Sequence, residues 1–190
     1  MITAETLYDS RLTAKRSKGG DLAETERLKA RLARARDRRV PFSLTRDEFL
    51  EICHWKLADQ YARPARQLES NSAKRVKRVT EMAFAVKDRD PDFELGARLA
   101  ILRLLPGVGV GIASAILGLC WPKRYAPLDG RLWHAVFGEQ RDSLDVAEYR
   151  RYLARLRELE SEVRALDAKG RWCVQLVAYY AGHESAVAAG

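Results

Sequence analysis

Cysteine is scarce in this chain: three in 190 residues, at Cys53, Cys120 and Cys173, far apart in sequence. They form no CxxC pair, no zinc or iron–sulfur spacing and no even set for disulfides, which points to a reducing, cytoplasmic compartment. In a bacterium that places the protein beside the nucleoid. The three histidines, His54, His134 and His183, also lack ligand spacing, so no transition-metal cofactor and no iron–sulfur cluster is expected. No apolar run opens the chain, and a cleaved signal peptide is not expected. Nor does any stretch alternate for long as a strand would, and there are no internal repeats. One uncharged run, 104–121, has about the length of a membrane span. It contains Pro106 and four glycines, Gly107, Gly109, Gly111 and Gly118, which make a turn at its start. Only about ten residues then remain for a helix, roughly 15 Å at 1.5 Å per residue. Hydrocarbon is about 30 Å thick, so no membrane partner is expected.

What the chain does have is charge. Lys and Arg number 34 against 26 Asp and Glu, giving a net +8, while 47% of residues are apolar. That is enough apolar matter for a core, wrapped in a surface that favours a polyanion.

Residues 1–42 read as a basic N-terminal extension and 43–190 as the main domain. The extension holds an expected helix near 22–39 with a thin stripe of Leu22, Leu28 and Leu32. Arg31, Arg34, Arg36, Arg38 and Arg39 gather at its end, where they either complement the helix dipole or touch phosphates. After Pro41, Thr45 and Glu48 have capping-box spacing. They open an expected helix over 46–62 with Phe49, Leu50, Ile52, Cys53, Leu57 and Tyr61 on one face. Trp55 falls opposite that face. It either packs under the N-terminal segment or, with neighbours His54 and Lys56, offers a stacking surface for a base.

A basic stretch, 63–72, precedes an expected helix over 72–87. There Val76, Val79, Ala83 and Val86 face inward, while Lys74, Arg75, Lys77 and Arg78 face out. Pro91 opens the next helix, with Leu95, Leu99 and Leu102 at helical spacing. Beyond the glycine run, Asp129 begins a short helix ending near Gly138. A long helix over 145–167 buries Val146, Tyr149, Leu153, Leu156, Val163 and Leu166, and Gly170 breaks that helix. The last helix, 172–181, is apolar nearly all round and therefore central. The expected fold is all-α.

The run Gly107 to Gly111 admits two readings. A dinucleotide loop would need a third glycine where Ile112 or Ser114 stands, and a βαβ frame that is missing. A helix–hairpin–helix needs only what is present. A helix ends at Leu104, Leu105-Pro106-Gly107-Val108-Gly109 turns, and a second helix starts near Val110. Pro106 stops the first helix, and the glycines let another molecule approach the backbone. The second helix offers free N–H groups and a positive dipole end, a phosphate site without side-chain charge. The amides of Gly107, Gly109, Val110 and Gly111 would then grip a DNA backbone without reading its sequence. Lys74, Arg75, Lys77 and Arg78 are candidates to add to that grip.

Leu105-Pro106-Gly107-Val108-Gly109, Trp121-Pro122 and Pro127-Leu128-Asp129 together resemble the helix–hairpin–helix DNA glycosylases, the endonuclease III-like superfamily of base excision repair. The resemblance is firm over about 93–138, loose over 45–92 and 139–183, and does not reach residues 1–40. It implies a helix–hairpin–helix glycosylase fold, double-stranded DNA as partner, and hydrolysis of the N-glycosidic bond of a damaged base. It implies Asp129 as the catalytic carboxylate, and a monovalent cation held by hairpin carbonyls near Arg103, Leu105 and Val108. Bifunctional members of the family carry a nucleophilic lysine two residues after the second hairpin glycine. Gly111 stands there instead, so a monofunctional glycosylase, or a DNA-binding protein that no longer cleaves, is implied. The base-pocket candidates Trp55, His54, Lys56 and Tyr61 are chosen by position alone.

Asp129 can be argued from its own chemistry. Placed after Leu128 and before a helix, it is a natural N-cap, with backbone N–H groups and the helix dipole favouring its ionised form. Capping alone would account for it. Glycosidic cleavage, however, passes through an oxocarbenium-like sugar that a fixed carboxylate stabilises, and the same group can orient water.

Overall fold

The computed structural model describes residues 2–16, 20–141 and 143–188, apart from the side chains of 13–16, 20–21 and 183–188. Every α-helix or strand assigned among them is a helix, so the fold is all-α. The helices are α1 (Ala4–Arg16), α2 (Gly20–Arg38), α3 (Arg46–Leu57), α4 (Ala65–Glu69), α5 (Ala73–Ala85), α6 (Pro91–Leu102), α7 (Val110–Cys120), α8 (Gly130–Phe137), α9 (Val146–Leu166) and α10 (Val174–Ala188). None is long and apolar enough, among the described residues, to cross a membrane.

Two units divide the chain. The central unit is Arg31–Ile116, and the terminal unit joins Met1–Ala30 to Leu117–Gly190. In the central unit α3 packs on α4 and α5, and α5 on α6. Its core is Phe49, Ile52, Leu68, Val76, Ala83, Leu99 and Leu102. In the terminal unit α1 packs on α9 and α10, and α8 on both of those helices. Leu7, Trp133, Tyr149, Tyr152, Leu156 and Val177 form its centre.

The expected capping box is present. Thr45 Oγ1 accepts from Glu48 N–H at 3.2 Å, and Thr45 N–H donates to Glu48 Oε2 at 2.9 Å. The same carboxylate takes two hydrogen bonds from Arg39, at 2.7 and 2.8 Å. Burial alone would raise the Glu48 carboxyl, but the Arg39 and Thr45 hydrogen bonds and the Arg39 charge outweigh it and hold it below its ordinary range. Its stabilisation is therefore present above the ordinary carboxylate range and is lost as pH falls through the lowered value. Glu48→Gln should cost about 1 kcal/mol at neutral pH, discounted for solvent at Arg39. Urea melts at neutral pH and pH 3 should show the difference shrinking in acid. An equal difference at both pH values would contradict this assignment.

The N-terminal residues do more than the stripe of leucines implies. Leu7 and Leu32 are fully buried, Leu28 nearly so, and α1 is a helix that periodicity did not signal. Arg31 pairs with Glu51 and Arg39 with Glu48, so part of the arginine cluster is engaged within the protein.

Other boundaries shift for local reasons. α3 stops at Leu57 rather than 62, because Ala58 leaves the helical region at φ 44° and starts a 3-10 turn. The basic stretch 63–72 contains α4. Leu166, expected inside, is half exposed at the end of α9. Trp172 lies just before α10, with its indole N–H on Asp167 Oδ2 at 3.1 Å and the Arg11 guanidinium over its ring.

Candidate functional site

The glycine hairpin belongs to the central unit. α6 ends in tight turns, and Val108 N–H closes the hairpin on the Leu105 carbonyl at 3.0 Å. Leu105 and Val108 are buried beneath it, while Leu104 projects outward. Gly107 sits at φ 81°, in the left-handed region. A Cβ there would also lie 3.0 Å from Leu68 Cδ2 and 3.1 Å from Gln67 Cβ. The fold therefore needs glycine at 107. Gly109 differs: nothing lies within 4 Å of a Cβ built there. Its carbonyl accepts the first α7 hydrogen bond, from Ala113 N–H at 3.0 Å. Glycine at 109 leaves space for something outside the fold.

Asn71 locks the hairpin from behind. Fully buried, its Nδ2 donates to the carbonyls of Gln67, Leu68 and Pro106 at 3.1, 2.9 and 3.0 Å. Three carbonyls around one nitrogen fix the amide orientation. The signal available in sequence is an Asn near the end of a basic stretch, just before a helix cap, which is too common to single out.

Lys74, Arg75, Lys77 and Arg78 are exposed along α5. Ser72 caps that helix by accepting from Arg75 N–H, but no acid stands in its first turn. Cations crowded at a helix N-terminus oppose its dipole, a cost that an anion docked there would relieve. Of the carbonyls expected to hold a cation, Leu105's accepts one hydrogen bond, and no described backbone bond ends on Arg103 or Val108. Those oxygens keep lone pairs to spare. Among the described residues no three His, Cys, Asp or Glu side chains gather to hold a metal; the His183 side chain lies outside them.

The proposed base-pocket residues are arranged unequally. His54 is exposed, and Trp55 and Lys56 are half-buried on α3. Tyr61 is buried, its ring stacked 3.5 Å from that of His54 and its hydroxyl donating to Glu69 Oε1 at 3.3 Å. Burial and the Glu69 charge raise its ionisation above the usual phenol range.

Asp129 belongs to the terminal unit, and its loop is held at three points. Tyr149 Oη donates to the Ala126 carbonyl at 2.8 Å, and Gln175 N–H to the Pro122 carbonyl at 3.2 Å. Gly118 forms the third: a Cβ there would meet Pro127 Cδ at 2.9 Å and the Ala126 carbonyl carbon at 3.0 Å. Residues 125–128 are buried. Asp129 itself is extended and half-buried, and its Oδ1 accepts from Leu132 N–H at 2.8 Å, as an N-cap should. Nearby, Arg151 lies over the Phe137 ring at 4.3 Å and the Trp133 ring at 5.4 Å.

The loop geometry separates two glycines. Gly118→Val should lose about 2–3 kcal/mol, because backbone atoms of the loop must move to admit the side chain. Gly109→Val, in open space, should cost no more than about 1 kcal/mol. Urea melts of the two variants read the contrast, and equal losses would contradict it.

Comparison of the chain with family models, with curated proteins and with solved structures gives no match.

Proposed function

We propose that this chain is a monofunctional DNA glycosylase of the helix–hairpin–helix kind, acting inside the cell on a damaged base in duplex DNA. The observation that carries the reading is the Asp129 carboxylate, capping α8 from a loop held by Gly118, Tyr149 and Gln175. The hairpin supports the DNA part. The exposed Gly109 and the amides opening α7 take phosphate oxygens, and Lys74, Arg75, Lys77 and Arg78 add charge. A cation on the carbonyls of Arg103, Leu105 and Val108 would supply fixed positive charge beside that phosphate.

Extruding the base costs a few kcal/mol, least for a damaged or mispaired one. The C1′–N bond then breaks with its electron pair leaving on the base. Asp129 steadies the sugar cation, water adds to C1′, and the proton that water loses leaves through solvent or the departing base. No lysine stands at Gly111, so no imine forms and the strand stays intact.

A second reading keeps the hairpin and discards the chemistry. Asp129 Oδ1 already serves the Leu132 amide, and capping alone gives the carboxylate a task. The fate of the strand tests the first reading. A lesion-bearing duplex should yield an abasic site cleaved only by added alkali, and borohydride should trap no covalent adduct. Trapping that disappears in Lys56→Ala would reveal an amine nucleophile on α3 and overturn the monofunctional assignment. Duplex affinity should also fall steeply between low and physiological salt, as counterion release requires. A flat salt profile would contradict binding through phosphates.

A further inference from the structure

Tyr152 follows Tyr149 by one turn of α9, so both phenols lie on the same face of that helix. Their rings are 6.5 Å apart. Tyr149 spends its hydroxyl on the Ala126 carbonyl, three residues before Asp129. Tyr152 is just as buried, yet its hydroxyl meets no hydrogen-bond partner among the described residues. A buried donor left unmade costs stability, and a position needing only packing would be better served by phenylalanine. The titratable groups that act on Tyr152 are Asp129 from the loop and Tyr149 from its own helix, and Tyr125 and Arg157 act in turn on Tyr149. Burial first, then the Asp129 charge, push the Tyr152 phenol well above its ordinary range. It therefore stays protonated and able to donate.

We infer that Tyr152 is a positioning residue for Asp129, its hydroxyl donating through one water to the carboxylate and fixing the direction in which that group faces. The hydroxyl is within electrostatic reach of Asp129 without bonding to it directly, and a water between a phenol donor and a carboxylate has the two polar partners it needs. Leu132 N–H holds the carboxylate from the helix side, and Tyr152 holds it from α9. The inference rests on Asp129 being the charge that faces the sugar cation, but its test does not depend on turnover.

The test follows the Asp129 carboxyl by carbon-13 NMR titration in the full chain, assigned by its loss in Asp129→Asn. In Tyr152→Phe the Asp129 midpoint should rise by about half a unit or more, because a donor to the charged form is gone. Phenylalanine preserves the packing, so the melting temperature and duplex affinity should stay close to wild-type values. A midpoint that does not move would overturn the inference. Where base release is measurable, the acid limb of its rate should shift with the midpoint, and kcat should fall while KM holds. If wild type releases no base and the midpoint still shifts, the glycosylase reading fails and the Tyr152–Asp129 link stands.

Discussion

Asp129→Asn is expected to slow base release by at least about a hundredfold while leaving folding and duplex binding close to wild type. The two effects separate because the side chain does two things. Its Oδ1 caps α8 through Leu132 N–H at 2.8 Å, and asparagine is as good an N-cap as aspartate. The loop anchors at Gly118, Tyr149 and Gln175 do not involve the carboxylate. What asparagine removes is the negative charge that a sugar cation requires. Duplex affinity, read by fluorescence anisotropy, should change by less than about threefold, a difference under 1 kcal/mol. A variant that releases base at the wild-type rate would leave Asp129 with capping alone.

Gly109→Asp is expected to weaken duplex binding by roughly 10- to 100-fold, the equivalent of losing one or two charge-assisted contacts. Aspartate suits a helix N-cap and meets nothing within 4 Å at its Cβ, so α7 should keep or gain stability. It also sets a carboxylate where a phosphate oxygen would dock. Stability and affinity should therefore move in opposite directions, which no general loss of structure would produce. Undiminished affinity in a variant that melts no lower than wild type would mean that the hairpin is not the grip. Gly107 cannot serve for this test, since its φ of 81° and the close Leu68 side chain tie it to the fold.

Much of the architecture could be read from local chemistry. Thr45 and Glu48 announce α3, Pro91 opens α6, and Gly138 closes α8 at φ 73°. These signals depend on a few neighbouring residues, so sequence alone carries them. What sequence hid depends on contacts between distant segments. α1 forms against α9 and α10, segments far away in sequence. Ala58 ends α3 although nothing in its own side chain favours φ 44°.

The candidate site divides along the same line. Asp129 is legible as a residue preceding a helix, and its capping bond from Leu132 N–H follows from that position. Tyr152 was not visible, because a helical stripe drawn through Tyr149, Leu153 and Leu156 takes a tyrosine between them as one more core residue. Only the absence of a partner for its hydroxyl among the described residues sets it apart. Asn71 was hidden for the opposite reason, since its three acceptors come from two segments separated in sequence.

The central claim is tested most directly by looking for the released base. The full chain should be incubated at neutral pH and low salt with duplexes carrying alkylated, oxidised or deaminated bases, and the free bases identified by mass spectrometry. At least one lesion should appear as free base from wild type, in proportion to alkali-labile sites, and fall to background with Asp129→Asn. If duplex is bound in a salt-sensitive way and no base is released from any lesion class, Asp129 is a helix cap and the protein is a DNA-binding module without glycosylase chemistry.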